Sequence, residues 1–359
     1  MSTLPYRLLI RWLVGVCVGT LLIAITSPWF VRSYLPPHAD SVRGVWTLPP
    51  ESEYRWRSEG YADSHIGEFG MPGKPAIDLA VDASANPEQI ALWGDSQAEG
   101  VCLPDTEKLF SQLERESEGR FNVLPFARSG DDAADWVTQM PAVEQSLGVD
   151  QHVILVVELA DLQTAMQAPI PPPGDADAVA ANGAIAARLP AFVIQSARHL
   201  LTEDDGATRR QLRFGLGPVA SEQAMPTGVS SELAAAPGLK SETESVVNWH
   251  TPLSAIRAAS ELPITLLYAP LAPHIIDGRV RWEDPQADEF QAMQSAASEL
   301  GFDVVDARQA MRDSAQLRGQ WPHGFHNGQF GVGHLNRVGN TVLAAELVDA
   351  LLSNRESRN

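Results

Sequence analysis

Cysteine is nearly absent from this chain of 359 residues: there are two, Cys17 and Cys102. Cys17 falls inside a long apolar run and Cys102 in the body of the chain, which excludes a disulfide framework as the basis of the fold. Basic residues are also scarce. Lys and Arg number 26 against 45 Asp and Glu, leaving a net charge of −19. A chain of that sign repels phosphate backbones, so nucleic acid is excluded as a partner. There is no glycine-rich phosphate loop and no internal repeat, which removes nucleotide-cradling motifs and solenoids from consideration.

What is present is an ordinary globular composition, 44% hydrophobic and 20% charged, enough to bury a full core. The exception lies at the start. After a short segment 1–11, no charge occurs between Trp12 and Phe30, and the run closes at Val31 before Arg32. About 20 helical residues cross a hydrocarbon core of roughly 30 Å, so 12–31 reads as a transmembrane anchor. A cleaved signal peptide ranks second, because no small-x-small site follows. Arg7 and Arg11 favour an inside N-terminus, which puts the residues after 36 outside the cytoplasm, in a periplasmic or extracellular setting.

Residues 32–88 carry Pro36-Pro37, Pro49-Pro50, Pro72 and Pro75 with Gly60, Gly67, Gly70 and Gly73. They read as a linker that wraps onto a body spanning 89–353, with a tail at 354–359. In that body, Ile90–Trp93, Asn122–Ala127, Val153–Leu159, Ile264–Tyr268 and Phe302–Val305 predict buried strands. Helical periodicity covers Asp105–Glu118, Asp132–Leu147 with an interruption at Pro141, Ala287–Leu300 and Val338–Leu352. About 165–250, rich in Pro, Gly, Ser and Ala, breaks the alternation as an insertion, with a helix over 178–201. Strands alternating with helices predict an α/β fold of three layers, a parallel sheet with helices on both faces.

Two short stretches carry chemistry. Leu92-Trp93-Gly94-Asp95-Ser96 places a serine at the carboxyl end of a buried strand, where open α/β sheets bind ligands. Gly333-His334-Leu335-Asn336 places a histidine before the last helix. A serine needs a base to take its proton, and histidine is the usual one near neutral pH. His323, His326 and His334 also raise a metal site, but their spacing fits no familiar pattern and no Cys or paired Asp accompanies them.

In order and context these stretches resemble the SGNH (GDSL) hydrolase family over roughly residues 60 to 353, interrupted by the insertion. Gly94-Asp95-Ser96 with Gly100 and Pro104-Asp105 matches the family's first block, and Ser129-Gly130 the second. His334-Leu335-Asn336 with Gly339 matches the last, and Gly67-Glu68-Phe69-Gly70 looks like the approach seen in secreted bacterial members. The resemblance implies an SGNH or flavodoxin-like fold with Ser96 as nucleophile and His334 as general base. It implies an oxyanion hole from the amides of Ser96 and Gly130, with Asp95 and Asp161 as supporting residues. No metal and no cofactor are implied.

Two positions depart from the family. Its third block, Gly-x-Asn-Asp, is here Glu158-Leu159-Ala160-Asp161, and Ala160 has no side-chain donor. Losing one oxyanion donor costs about 10²–10³ in turnover. The Asp that the family places three residues before the His is here Gly331. A Ser–His dyad, an acid from elsewhere or a backbone carbonyl would then serve the imidazole. The leading expectation is an envelope esterase acting on an acylated small molecule or on acyl groups of cell-surface carbohydrate. O-acyl transfer to an envelope polysaccharide and a catalytically degenerate binding module are the alternatives.

Overall fold

The structure, a computed structural model, describes residues 4–35, 37–73, 87–166 and 247–358. Most of the expected insertion at about 165–250, the expected helix over 178–201 and part of the wrapping segment (74–86) lie outside the described residues. The chain divides into two units, one of Met1–Tyr34 with Arg188–Val247, the other of Leu35–Ala187 with Asn248–Asn359.

In the first unit, helix α1 covers Leu4–Thr26 and runs into a 3-10 turn at Ser27–Trp29. It starts upstream of the expected 12–31 because Arg7 and Arg11 have high helix propensity and do not interrupt it. It stops where Pro28 withdraws a backbone donor. Within Tyr6–Trp29 a window of 18 residues reaches a mean hydropathy of 2.4, and the stretch is long and apolar enough to cross a membrane. A signal sequence meets the same description.

The second unit begins with two small hairpins, β1 (His38–Asp40) with β2 (Val45–Thr47) and β3 (Glu53–Arg55) with β4 (Asp63–His65). Then follow β5 (Glu88–Trp93), α2 (Ser96–Glu99), α3 (Leu109–Glu116), β6 (Phe121–Pro125) and α4 (Ala133–Leu147). Next come β7 (Gln151–Val156), α5 (Ala160–Gln163), α6 (His250–Ala258) and β8 (Ile264–Tyr268). The hairpin β9 (His274–Ile276) and β10 (Arg279–Arg281), α7 (Ala287–Glu299), β11 (Asp303–Asp306), α8 (Arg308–Arg318) and α9 (Arg337–Arg358) complete it. The expected strands are present, as are the expected helices that fall on described residues, most with shifted ends; the one over Asp105–Glu118 is divided into a 3-10 turn at Asp105–Glu107 and α3. The hairpins, α6 and α8 escaped the sequence reading: strands of three residues are too short to display alternation.

Five strands form one parallel sheet in the order β11-β8-β7-β5-β6. Counted along the chain this is 2-1-3-4-5, the flavodoxin-like doubly wound order expected of an SGNH-type fold. The inner strands β7 and β8 are buried along their whole length because each side carries helices. On one face Ile90, Leu92, Val153, Leu155 and Leu267 pack with Phe110 and Leu113 of α3, Met311 of α8 and Leu347 of α9. On the other, Tyr268 stacks on Phe290 of α7 at 4.1 Å, and the Trp93 indole donates to His152 Nδ1 at 3.0 Å. The far nitrogen of His152 then carries the proton and donates to Glu144 of α4 at 2.9 Å. Trp93 and Trp136 are both buried in the packing of this face.

The interruption expected at Pro141 does not occur: α4 runs unbroken through it. An Asp132–Asp135 capping box secures its start, and buried Trp136, Met140 and Val143 hold the face, outweighing the lost backbone bond.

The wrapping segment is fastened to the body by buried polar groups. The Lys108 ammonium, fully buried, donates to Ser64 Oγ of β4 at 2.6 Å and pairs with Asp105, which accepts from the His65 amide at 2.8 Å. Buried Arg43 donates to the carbonyls of Phe69 at 2.5 Å and Phe126 at 3.4 Å.

Leu92 has no exposed surface and lies between Val153 and Pro125 of the strands on either side of β5. Leu92→Ala is expected to destabilise the domain by about 2–5 kcal/mol, read as a lowered midpoint in urea unfolding with an unchanged slope.

Candidate functional site

Strand β5 ends at Trp93, and the chain turns at Gly94 into α2. Asp95 caps that helix, its carboxylate accepting from the Gln97 amide at 2.9 Å. Ser96 is therefore the first residue of a capped helical turn at the carboxyl edge of the sheet. At the other end of the chain, His334 lies just before α9. Its Nε2 is 3.0 Å from Ser96 Oγ, and its Nδ1 meets the carboxylate of Glu59. With the proton on Nδ1 donated to Glu59, Nε2 is left to accept from the serine hydroxyl.

Glu59 was not singled out by the sequence. It sits in the loop between β3 and β4, 275 residues away from His334. No spacing marks it off from Glu51, Glu53, Asp63 or Glu68. The signal that existed was the wrapping character of the segment, which had to lie against the body somewhere. At Gly331, where the family carries its acid, the backbone has φ +74°, and a Cβ would stand 2.8 Å from Ile275 and 3.1 Å from Trp321. That position has no room for a carboxylate.

The four residues of α2 do three jobs. Ser96 presents the hydroxyl, Gln97 Oε1 accepts from the Leu335 amide at 2.8 Å, and Glu99 Oε2 accepts from the Ser129 amide at 3.1 Å. Gln97 thus holds the histidine loop and Glu99 the loop of Ser129-Gly130. Among the described residues, the amides of Ser96 and Gly130 donate to no protein acceptor. Ala160 opens α5 and Asp161 follows it; the Asp161 carbonyl accepts from the Thr164 hydroxyl at 2.7 Å. Gln163, which could have replaced the missing donor, donates instead to Glu289 at 3.2 Å.

Charge is distributed to favour a protonated imidazole. Burial opposes charge on His334, yet the hydrogen bond and charge of Glu59, with Asp95 and Glu99 behind, raise its pKa above the ordinary 6.5. Burial pushes Glu99 up to about 7, the Ser129 amide pulling the other way. His323, buried, is pushed down to about 3 and is neutral at physiological pH. Among the described residues no group of three histidine, cysteine or carboxylate side chains is placed to hold a metal ion.

A serine hydroxyl donating to an imidazole backed by a carboxylate is an arrangement able to activate the hydroxyl for attack on a carbonyl. The fold around it is the doubly wound α/β arrangement that the resemblance implied. No family model and no curated protein matches the sequence. Among solved structures, the acetyl xylan esterase AlAXEase is 13% identical with a TM-score of 0.37, over 73% of this chain and 99% of that one. The lipase/acylhydrolase from Enterococcus faecalis is 14% identical with a TM-score of 0.35, over 74% and 96%. LAE5, an α/β hydrolase from the metagenome of Lake Arreo, is 14% identical with a TM-score of 0.36, over 74% and 95%. Likeness of this size says nothing of the chemistry, which rests on the geometry of Ser96, His334 and Glu59.

The raised pKa of buried Glu99 has a thermodynamic consequence. A carboxyl whose folded pKa lies above its unfolded value stabilises fully below the unfolded pKa and loses that contribution as pH rises through about 7. Glu99→Gln is therefore expected to stabilise the protein at pH 8 and leave it unchanged at pH 4. The gain at pH 8 has an upper bound between about 3 and 4 kcal/mol, at about 1.4 kcal/mol per pH unit. Thermal melts at the two pH values check it.

Proposed function

We propose that the protein is a serine esterase of the SGNH type, working through an acyl-enzyme on Ser96. The observation that carries this reading is the continuous chain from Ser96 Oγ to His334 to Glu59. Ser96 Oγ attacks the ester carbonyl while its proton passes to His334 Nε2. Glu59 holds the imidazole in the required tautomer and stabilises the imidazolium without itself being protonated. The oxyanion accepts from the amides of Ser96 and Gly130. Collapse expels the alcohol, which takes the proton from His334. Water then repeats the sequence on the acyl-enzyme, releasing the acid and restoring the serine.

Asp95 supports the nucleophile through its cap on α2. With Ala160 in the third block, two backbone donors carry the oxyanion, so turnover is expected about 10²–10³ below that of a site with three. Acyl groups on carbohydrate are the substrate class proposed, on the resemblance alone. We further propose that Tyr6–Trp29 anchors the chain with the catalytic unit outside the cytoplasm. The length of the apolar run and Arg7 and Arg11 on its short side support that placement.

A fluorophosphonate probe tests the chemistry: it is expected to label wild-type protein and not Ser96→Ala. A folded wild-type protein that takes no label sinks the proposal. A second prediction concerns pH. Esterase activity needs a neutral His334, so kcat/KM is expected to fall as pH drops through a midpoint above 6.5. Glu59→Gln is expected to move that midpoint down and to lower kcat by about 10²- to 10⁴-fold. An unmoved midpoint would remove Glu59 from the mechanism.

A further inference from the structure

The acid of this site sits on a slender support. Glu59 lies in the loop of a hairpin whose strands have three residues each, and its carboxylate and the His334 ring are 26% and 28% exposed. The pair is partly reached by water, which weakens what it contributes to holding two distant segments in register. Contacts of the main chain beside Glu59 also bear on where its carboxylate sits.

The main chain on both sides of Glu59 is clasped by one side chain. Asn327 Nδ2 donates to the carbonyl of Ser58 at 2.9 Å, and Asn327 Oδ1 accepts from the amide of Gly60 at 3.0 Å. A primary amide is suited to this, since it presents a donor and an acceptor side by side, which a carboxylate or an alkyl group cannot. The carbonyl of Glu59 itself accepts from the Trp56 indole at 2.9 Å. Gly60 is pressed against the body: a Cβ there would stand 2.0 Å from the carbonyl oxygen of Cys102.

Asn327 belongs to the segment between α8 and α9 that ends in His334. That segment is bonded to itself, Gly324 donating to the His334 carbonyl at 2.9 Å, Gly328 to Phe325 at 3.0 Å and Gly331 to His323 at 2.9 Å. The clasp therefore ties the loop of the acid to the loop of the base, independently of the attraction between carboxylate and imidazole.

We propose that Asn327 is a positioning residue for the Glu59 carboxylate, holding it on His334 through the peptide groups on either side of it. The inference rests on reading Ser96, His334 and Glu59 as the catalytic chain. Besides the Ser96 hydroxyl, the titratable groups acting on His334 are Glu59, Asp95, Glu99 and His323. Of these only Glu59 is held by the clasp.

The test uses the full chain with p-nitrophenyl acetate, together with NMR titration of the His334 ring. Asn327→Ala is expected to lower kcat between about 10- and 100-fold with KM little changed. It should also move the acid limb and the His334 titration to lower pH. Asn327→Asp, which can still accept from Gly60 but cannot donate to Ser58, should not restore activity. In a Glu59→Gln background, Asn327→Ala should change kcat by less than about twofold, because the group it positions is already lost. Equal losses in both backgrounds would mean a general structural role and overturn the proposal, as would a wild-type rate and titration in Asn327→Ala. Were the wild type to hydrolyse nothing, the esterase reading would fail alone. The His334 titration would still decide whether Asn327 holds Glu59.

Discussion

The contact between His334 and Glu59 joins a hairpin that precedes the sheet to a loop that follows it. Everything between those points, five strands and their helices, has to fold for the two residues to meet. Ser96 adds the third member from the edge of β5. The site is therefore a property of the closed domain and not of any local segment. The polar fastenings of the wrapping segment, Lys108 to Ser64 and Asp105 to His65, gain their meaning from this. They keep the short hairpin of β3 and β4 against the body that carries His334.

The electrostatics around the imidazole follow from how little positive charge the chain has to spend. Asp95, Glu99 and Glu59 all act on His334, and together they outweigh the burial that disfavours its cation. Glu99 shares the cost, since burial makes its own carboxylate hard to ionise. Its bond to the Ser129 amide and the bond of Gln97 to the Leu335 amide leave from the same helical turn as Ser96. One rigid turn thus sets the hydroxyl, the loop of Gly130 and the loop of His334 relative to one another.

Much of this was legible beforehand. The apolar runs at Ile90–Trp93, Val153–Leu159 and Ile264–Tyr268 read as buried strands, and their alternation with helical periodicity pointed to a parallel sheet. Ser96 and His334 were legible because each sits at an element boundary where a doubly wound fold exposes polar groups. Pro141 misled, because the penalty of a proline inside a helix is local while the packing of Trp136, Met140 and Val143 is not. Glu59, Gln97, Glu99 and Asn327 were not legible in their roles, since each acts through a partner distant in sequence or through a main-chain group that any residue type could supply.

The sequence by itself determined the α/β alternation, the apolar N-terminal run and the positions of one serine and one histidine. Periodicity and burial are local demands that each segment must meet alone. Only the tertiary structure decided which acid completes the chain. Gly331 sits where Ile275 and Trp321 leave no room for a side chain. The hairpin of β3 and β4 brings a carboxylate to the same nitrogen from the opposite end of the chain. An imidazole requires a negative group at hydrogen-bonding distance from Nδ1 and is indifferent to where along the chain it originates. That choice belongs to topology, and it is written in contacts that spacing cannot display.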